Sequence, residues 1–356
     1  MDPFGLRRVV SPAGAMPQRA DVLDPDLPLG EDEVAIDVEA LAVDAASFRQ
    51  LEREAGGDPE LIGDAIATIV RARGKLHNPV TGSGGMLLGR VAEVGPRHPA
   101  ATSLRPGDRI ATLVSLTLTP LRLHQIRAVR PALERVDCEG RAILFASAGW
   151  ARLPTDLPEE LALSVLDVCG APALAARHVR PGQRILVLGA GKSGALVLAR
   201  ARELAGPGGL LAALDRSREA LAAVRAAGLC DVALEVDAAD AVATLRAVEW
   251  AGGPFDLVVS CASLPGTELS ALLAVRDGGT VLFFSMATSF TAAALGAEGI
   301  GRDATLLVGS GYVPGHAEAA LDLVRRTPAL RALLEARGGA ARPASPPAPG
   351  PAPAGW

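Results

Sequence analysis

The sequence predicts an α/β protein in which a β-rich, barrel-like domain is followed by a doubly wound parallel-sheet domain. Three observations support this fold class. Short runs of alternating polar and apolar residues occupy positions 29–129, which is typical of half-buried strands. After residue 154, strands alternate with helices. A GxGxxG pattern follows the strand at 184–188. The length of 356 residues suits about two domains, which we place at 1–153 and 154–303.

The strands of the first domain are predicted from their period of two. Residues 33–41 alternate polar and apolar side chains, and residues 89–95 do so again. Residues 105–109 read Arg-Pro-Gly-Asp-Arg, which predicts a turn before a strand at 110–114.

One helix is predicted to interrupt these strands. Asp58 can cap it, Pro59 suits its first position, and Gly74 is a good terminator. Lys75 and His77 therefore lie just past its end, on a loop that leads to a glycine cluster. Lys75 is one of two lysines in a chain with 35 basic residues. The pKa of a lysine moves readily on burial, which makes Lys75 a candidate catalytic residue.

The second domain is predicted from alternating strand and helix patterns. The predicted strands are 184–188, 210–214, 231–236, 255–260 and 280–284, with helices at 195–205 and 218–227. From residue 338 to 356 the chain is rich in proline, alanine and glycine without periodicity, and we expect a disordered tail.

The glycine pattern predicts a dinucleotide site. Glycines at its three fixed positions permit a tight turn, close approach of the pyrophosphate and close helix packing. The residues of the motif are Gly189, Ala190, Gly191, Lys192, Ser193 and Gly194. Lys192 could reach the pyrophosphate or lie in solvent.

Further cofactor contacts are predicted at the ends of other strands. Asp215 ends the next strand, where an acid binds the ribose hydroxyls of NAD. Arg216 follows directly and could accommodate the 2′-phosphate of NADP. We favour NAD and keep NADP open. Cys261 and Ser285 follow later strands and are predicted to flank the nicotinamide.

These motifs together resemble the medium-chain dehydrogenase/reductase superfamily. The resemblance covers residues 29–338 and rests on the strand at 33–41, residues 84–95, 106–109 and 171–176, and the glycine motif. It implies a GroES-like catalytic domain, a Rossmann domain, and a segment at 304–337 that returns to the first domain.

A closer resemblance is to the L-erythro-3,5-diaminohexanoate dehydrogenase family, carried by residues 4–10, 54–58 and 74–89. It implies NAD(P)-dependent oxidative deamination of a β-amino group, giving 5-amino-3-oxohexanoate and ammonia in lysine fermentation.

The superfamily resemblance also implies that catalytic zinc is missing. Where zinc-dependent members have two cysteines and a histidine, this chain has Asp44, Met86 and Cys169. Methionine is a poor zinc ligand, so we expect no metal. A general base is still required. The candidates are His77, Lys75, Asp44 and Glu54. Lys75 could instead bind the substrate carboxylate, and the acidic residues could bind the second ammonium group.

Composition restricts the partners. The net charge of −5 and 3% aromatic residues argue against nucleic-acid binding. The sequence has neither a signal peptide nor an apolar span that would cross a membrane. We therefore expect a cytoplasmic homodimer that binds a small diamino acid.

Two other functions stay open from the sequence. A quinone or enoyl reductase of the same superfamily would also work without zinc. A nucleotide-binding protein without catalytic activity would bind the cofactor independently of any substrate.

Overall fold

The computed structural model of the protein describes residues 1–309 and 311–339 and divides into two compact units. The first includes Met1–Ala148, and the second is Gly149–Gly338. The boundary lies five residues before the predicted one at 154. Most of the predicted tail, residues 340–356, lies outside the described residues, whereas Gly338 and Gly339 end a helix.

The first unit contains antiparallel strands and two consecutive helices. Its elements are, in chain order, β1 (Val9–Ser11), β2 (Val22–Leu23), β3 (Glu33–Ala42), α1 (Ala45–Glu54), α2 (Pro59–Arg73), β4 (Met86–Val94), β5 (Arg109–Thr112), β6 (Leu121–Arg130) and β7 (Arg135–Phe145). The longer strands hydrogen-bond in the order β6-β7-β3-β4-β5, and β1 pairs with β2. The predicted β-rich character of this region is confirmed.

Local signals define the ends of the two helices. The Asp44 side chain accepts a hydrogen bond from the Ser47 N–H and begins α1. Asp58 accepts one from the Glu60 N–H and begins α2. Gly74 ends α2 with a φ of 61°, the left-handed conformation that glycine tolerates best. A Cβ at Gly74 would lie 1.9 Å from the Leu23 carbonyl oxygen, so the chain can leave the helix here only through a glycine.

The second unit alternates strands and helices. Its elements are β8 (Trp150–Arg152), α3 (Glu159–Leu166), α4 (Gly170–Ala176), β9 (Arg184–Leu188), α5 (Lys192–Ala205), β10 (Leu210–Asp215), α6 (Arg218–Ala226), β11 (Val232–Glu235), α7 (Ala241–Trp250), β12 (Phe255–Ser260), α8 (Glu268–Ala274), β13 (Val275–Phe283), α9 (Phe290–Ile300), β14 (Ala304–Val308), α10 (His316–Arg326) and α11 (Pro328–Gly339).

The sheet of the second unit is parallel, with strand order β11-β10-β9-β12-β13-β14. Counted from β9 this is 3-2-1-4-5-6, the order of doubly wound dinucleotide-binding sheets. The direction of winding reverses between β9 and β12, where such sheets bind ligands beyond the carboxyl ends of their strands. The predicted α/β fold class is confirmed.

Residues 304–337 differ from the expectation that they return to the first domain. The contacts of the chain group them with the second unit. The physical reason is strand pairing, because β14 continues the parallel sheet in register from Gly279↔Ala304 to Phe283↔Val308. Helices α10 and α11 follow in the same unit.

Within the described ranges, no helix combines the length and the hydropathy that a membrane span requires.

Candidate functional site

The glycine motif forms the turn between β9 and α5. Gly189 has a φ of 94°, and its N–H donates to the Leu214 carbonyl oxygen at 2.7 Å. A Cβ at Gly194 would lie 1.9 Å from the Gly189 oxygen, so helix α5 packs against the turn at glycine distance. A Cβ at Gly191 would meet nothing within 4 Å. The second glycine therefore borders open space, as expected where a pyrophosphate approaches the backbone, and the motif fits a dinucleotide.

Asp215 contacts this turn directly. Its Oδ2 accepts a hydrogen bond from the Ala190 N–H at 2.7 Å, and its Oδ1 accepts one from the Ser217 N–H at 2.8 Å. The carboxylate is partly exposed at the end of β10. The structure thus brings the predicted ribose ligand to the glycine motif.

The predicted nicotinamide loops lie at the same edge of the sheet. The Cys261 N–H donates to the Leu188 carbonyl oxygen at 2.8 Å, and the Ser285 N–H donates to the Ser260 oxygen at 3.2 Å. The Ser193 side chain favours the ionised form of the Cys261 thiol and so opposes the effect of burial on its pKa. Because these residues end neighbouring parallel strands, one edge of the sheet holds them all.

The two basic candidates of this site differ in their contacts. The Lys192 Nζ donates to Asp167 Oδ2 at 2.8 Å. Arg216 is exposed and makes no hydrogen bond or ion pair with the described residues. In this conformation Lys192 therefore binds a carboxylate of its own chain.

Lys75, in the first unit, is fully buried. Its Nζ donates to the backbone oxygens of Pro17 at 2.8 Å and Thr117 at 2.7 Å. Burial, with a smaller contribution from the positive charge of Arg73, lowers the pKa of Lys75 to about 8. This pKa suits a base near neutral pH. The side chain has no exposed surface on which it could bind a substrate carboxylate.

His77 lies two residues further and is half-buried. Burial lowers the pKa of His77, and the positive charges of Lys75 and Arg73 lower it further. Its Nδ1 is buried and has no hydrogen-bond partner among the described residues. The imidazole is therefore held in its neutral form, which is the form of a general base.

Asp44 belongs to a second polar group, which we call the Asn78 cluster and define as Asp44, Ser47, Gln50, Asn78 and Thr81. Asn78 is buried, and its Nδ2 donates to Gln50 Oε1 at 2.7 Å. Its Oδ1 accepts from the Val80 and Thr81 N–H groups at 2.8 and 3.3 Å. The hydroxyl groups of Ser47 and Thr81 are 2.5 Å apart. The cluster ties the loop that follows Lys75 to the first turns of α1.

One carboxylate oxygen of the Asn78 cluster accepts no hydrogen bond from the described residues. Asp44 Oδ1 caps α1 through the Ser47 N–H at 3.0 Å. Asp44 Oδ2 is buried and lacks a partner in the described chain. A charged donor such as an ammonium group forms a stronger hydrogen bond with a carboxylate oxygen than a neutral donor does.

The structure does not bring all four predicted catalytic residues together. The carboxylate whose charge acts on His77 is that of Asp21, not that of Asp44. Glu54 is exposed at the far end of α1. At about 1.5 Å of rise per residue, it lies roughly 15 Å from Asp44 along the helix.

The cysteines are buried and free throughout the chain. Burial raises the pKa of Cys138, Cys169 and Cys261 to about 12 and that of Cys230 to about 11. Within residues 1–309 and 311–339, no group of three or more His, Cys, Asp or Glu residues could hold a metal ion.

Sequence reasoning missed the Asn78 cluster and Arg337. The Asn-Pro step at 78–79 marks a turn, but nothing local shows that the amide is buried. The guanidinium of Arg337 has both terminal nitrogens buried without a partner in the described residues. Its spacing from the apolar positions of α11 would have revealed it.

Comparisons with known proteins identify one enzyme family. Residues 7–154 match the family model described as the L-erythro-3,5-diaminohexanoate dehydrogenase N-terminal domain. The chain is 45% identical over 335 residues to L-erythro-3,5-diaminohexanoate dehydrogenase of Acetoanaerobium sticklandii, covering 93% of this chain and 97% of the relative. It is 44% identical to the enzyme of the same name from Fusobacterium nucleatum over 334 residues, with the same two coverages.

The fold is also similar to that of a mycobacterial protein solved in complex with NADPH. The TM-score is 0.55 at 20% identity, and the match covers 89% of this chain and 95% of that one.

Proposed function

The chain belongs to the L-erythro-3,5-diaminohexanoate dehydrogenase family, and we propose that it oxidatively deaminates L-erythro-3,5-diaminohexanoate to 5-amino-3-oxohexanoate and ammonia with NAD(P). The observation that carries this proposal is the 45% identity to a named relative over nearly the whole of both chains. The substrate is then a small diamino acid. A cytoplasmic location and a homodimer stay predictions.

The cofactor contacts are assigned to the second unit. The Gly189–Gly194 turn and the N-terminus of α5 would bind the pyrophosphate, and Asp215 the ribose hydroxyls. Cys261 and Ser285 would flank the nicotinamide. When bound, the nicotinamide accepts the hydride from the carbon that bears the reacting amine. The open space at Gly191 supports this assignment.

His77 is the general base of the proposed mechanism. The reacting ammonium must first lose a proton, because only a neutral amine can release hydride from its carbon to leave an iminium. Water then adds to the iminium and loses a proton, and ammonia departs from the resulting carbinolamine. The lowered pKa of His77 and its unpartnered Nδ1 support its role in both proton transfers.

Lys75 and Asp44 are assigned supporting roles. The charge of Lys75 lowers the pKa of His77, so Lys75 acts through the base. Asp44 Oδ2 binds an ammonium group of the substrate, which is supported by the absence of a hydrogen-bond partner in the described residues and by the partial exposure of Asp44. Glu54 has the weakest support of the predicted catalytic residues, because it is exposed and at the other end of α1.

We also propose that the reaction proceeds without zinc. Of the residues in the three zinc-ligand positions, Met86 offers a thioether, which binds zinc poorly. Burial raises the pKa of Cys169 to about 12, which disfavours the thiolate that zinc requires. Dialysis against a chelator should leave the rate of NAD reduction unchanged, and a loss that zinc restores would contradict this proposal.

Initial rates test the function directly. The purified protein should reduce NAD or NADP only when the diamino acid is present, with one ammonia released per reduced cofactor. Quinones and enoyl thioesters with NADPH serve as competing substrates. Turnover of these compounds without oxidation of the diamino acid would overturn the proposal.

A further inference from the structure

Glu268 is a buried carboxylate at the start of helix α8. It is 3% exposed and is followed in the helix by Ser270, Ala271 and Leu272, which are fully buried. A carboxylate in such a position is stable only when its oxygens accept hydrogen bonds or pair with a cation. Among the described residues, Glu268 forms no ion pair and accepts one hydrogen bond. The donor of that bond therefore identifies what the carboxylate does in the fold.

The donor is the backbone N–H of Ser289, whose nitrogen lies 2.7 Å from Glu268 Oε1. Ser289 caps the start of helix α9, and a negative charge beside the first N–H groups of a helix is favourable. A hydrogen bond to an ionised acceptor is also stronger than one between neutral groups. Glu268 therefore ties the start of α9 to the start of α8, although the two residues are 21 positions apart in the sequence.

This bond fixes one end of the segment that follows β13, residues 284–289, which we call the Ser285 loop. At the end that leaves β13, the Ser285 N–H donates to the Ser260 oxygen at 3.2 Å. Within the loop, the Thr288 N–H donates to the Ser285 oxygen at 3.3 Å. Among the described residues outside the loop, Glu268 alone provides a side chain that hydrogen-bonds it. The conformation of the Ser285 loop therefore depends on this carboxylate.

Glu268 also ends the other loop that the proposed function assigns to the nicotinamide. That loop begins at Cys261, after β12, and leads directly into α8. We propose that Glu268 is a positioning residue for the nicotinamide, because its bond to Ser289 holds the Ser285 loop in the conformation that binds the ring. This inference rests on the nicotinamide cofactor of the proposed function. It concerns only the nicotinamide half of the cofactor, since the glycine turn and Asp215 are assigned to the other half.

Binding of NADH and of ADP-ribose, without substrate, tests this inference. ADP-ribose contains every part of the cofactor except the nicotinamide, so it should not depend on the Ser285 loop. Glu268→Ala removes the acceptor of the Ser289 N–H and should lower NADH affinity at least about fivefold, measured by the fluorescence of bound NADH. Its affinity for ADP-ribose, measured by calorimetry, should stay within about twofold of that of the unsubstituted chain.

Two further variants control for the lost charge. Glu268→Gln keeps a side-chain oxygen that can accept from the Ser289 N–H, so it should restore NADH affinity to within about threefold of the unsubstituted chain. Glu298→Ala removes an exposed carboxylate from α9 and should leave the affinities for both ligands within about twofold of their original values.

The contrary results are distinct. An equal loss of NADH and ADP-ribose affinity in Glu268→Ala would assign Glu268 to folding, and unchanged affinities would show that the bond to Ser289 does not act on the ring. Either result overturns this inference alone, because the unsubstituted chain still binds NADH. Absence of NADH binding by the unsubstituted chain overturns the proposed function as well.

If Glu268→Ala does not fold, hydrogen exchange of Glu268→Gln decides. Residues 284–289 should exchange faster in this variant than in the unsubstituted chain, because a neutral acceptor binds the Ser289 N–H less strongly. NADH should slow this exchange and ADP-ribose should not. Equal exchange in the two proteins, or equal slowing by the two ligands, would overturn the inference.

Discussion

Replacing Lys75 by methionine should remove a pH-dependent contribution to stability. Burial lowers the pKa of Lys75 from 10.5 to about 8. At about 1.4 kcal/mol per pKa unit, the difference between folded and unfolded chains corresponds to about 3 kcal/mol. The unfolded chain holds the proton up to about pH 10.5 and the folded chain loses it near pH 8. Between these values the unfolded state binds more protons, so the free energy of unfolding rises with pH.

Methionine does not titrate, so the free energy of unfolding of Lys75→Met should not show this rise with pH. The variant also lacks the hydrogen bonds from Lys75 to the Pro17 and Thr117 oxygens at every pH. Their loss lowers the free energy of unfolding by a constant amount of about 1–3 kcal/mol for each carbonyl. The deficit of Lys75→Met relative to the unsubstituted chain should therefore grow by about 3 kcal/mol between about pH 7.5 and about pH 10.5.

Urea unfolding followed by circular dichroism measures this difference. The four buried cysteines also affect stability above pH 9, with opposite sign, but they are common to both proteins and cancel. Lys192→Met, at the only other lysine of the sequence, is the matched control. Its free energy of unfolding should change with pH in the same way as that of the unsubstituted chain. If the free energies of unfolding of Lys75→Met and the unsubstituted chain differ by an amount that stays constant with pH to within about 1 kcal/mol, the assigned pKa is refuted.

Three further predictions concern the two sites. Gly191→Ala should keep the melting temperature of the unsubstituted chain and lose at least about tenfold in dinucleotide affinity, because the added Cβ meets only the open space that the pyrophosphate would fill. Gly194→Ala should instead lower the melting temperature, because its Cβ would clash with the Gly189 oxygen. Identical behaviour of the two variants would contradict the turn geometry. His77→Gln should lower kcat by about 10²–10⁴ without changing cofactor affinity. The acidic limb of kcat/KM should lie below pH 6.5 and move to higher pH in Lys75→Met, whereas an unmoved limb would contradict the electrostatic role of Lys75. Asn78→Ala should lower the free energy of unfolding by about 2–4 kcal/mol in a denaturant titration, since three hydrogen bonds are lost; a change below about 1 kcal/mol would show that they contribute little.

Local chemistry explains why much of the fold could be predicted. The ends of α2 follow from Asp58 and Gly74, which act within one helical turn. The contact between Asp215 and the glycine turn follows from parallel pairing, because neighbouring strands end at the same edge.

Long-range contacts explain what the sequence left open. Lys75 is held by carbonyl oxygens 58 and 42 residues away, so its burial has no local signature. The segment at 304–337 lies in the second unit because β14 pairs with β13, a choice of partner that its own residues do not encode.

The buried cysteines make this protein a convenient object for site-directed labelling. With pKa values of about 11 to 12, no more than roughly one thiol in ten thousand is ionised at neutral pH, and maleimide reagents react with the thiolate. A single cysteine introduced at an exposed position such as Met286, which is 97% exposed, would therefore be modified in the presence of all four native thiols. A fluorophore or spin label at this position could then report on the loop that follows β13 in an otherwise natural chain.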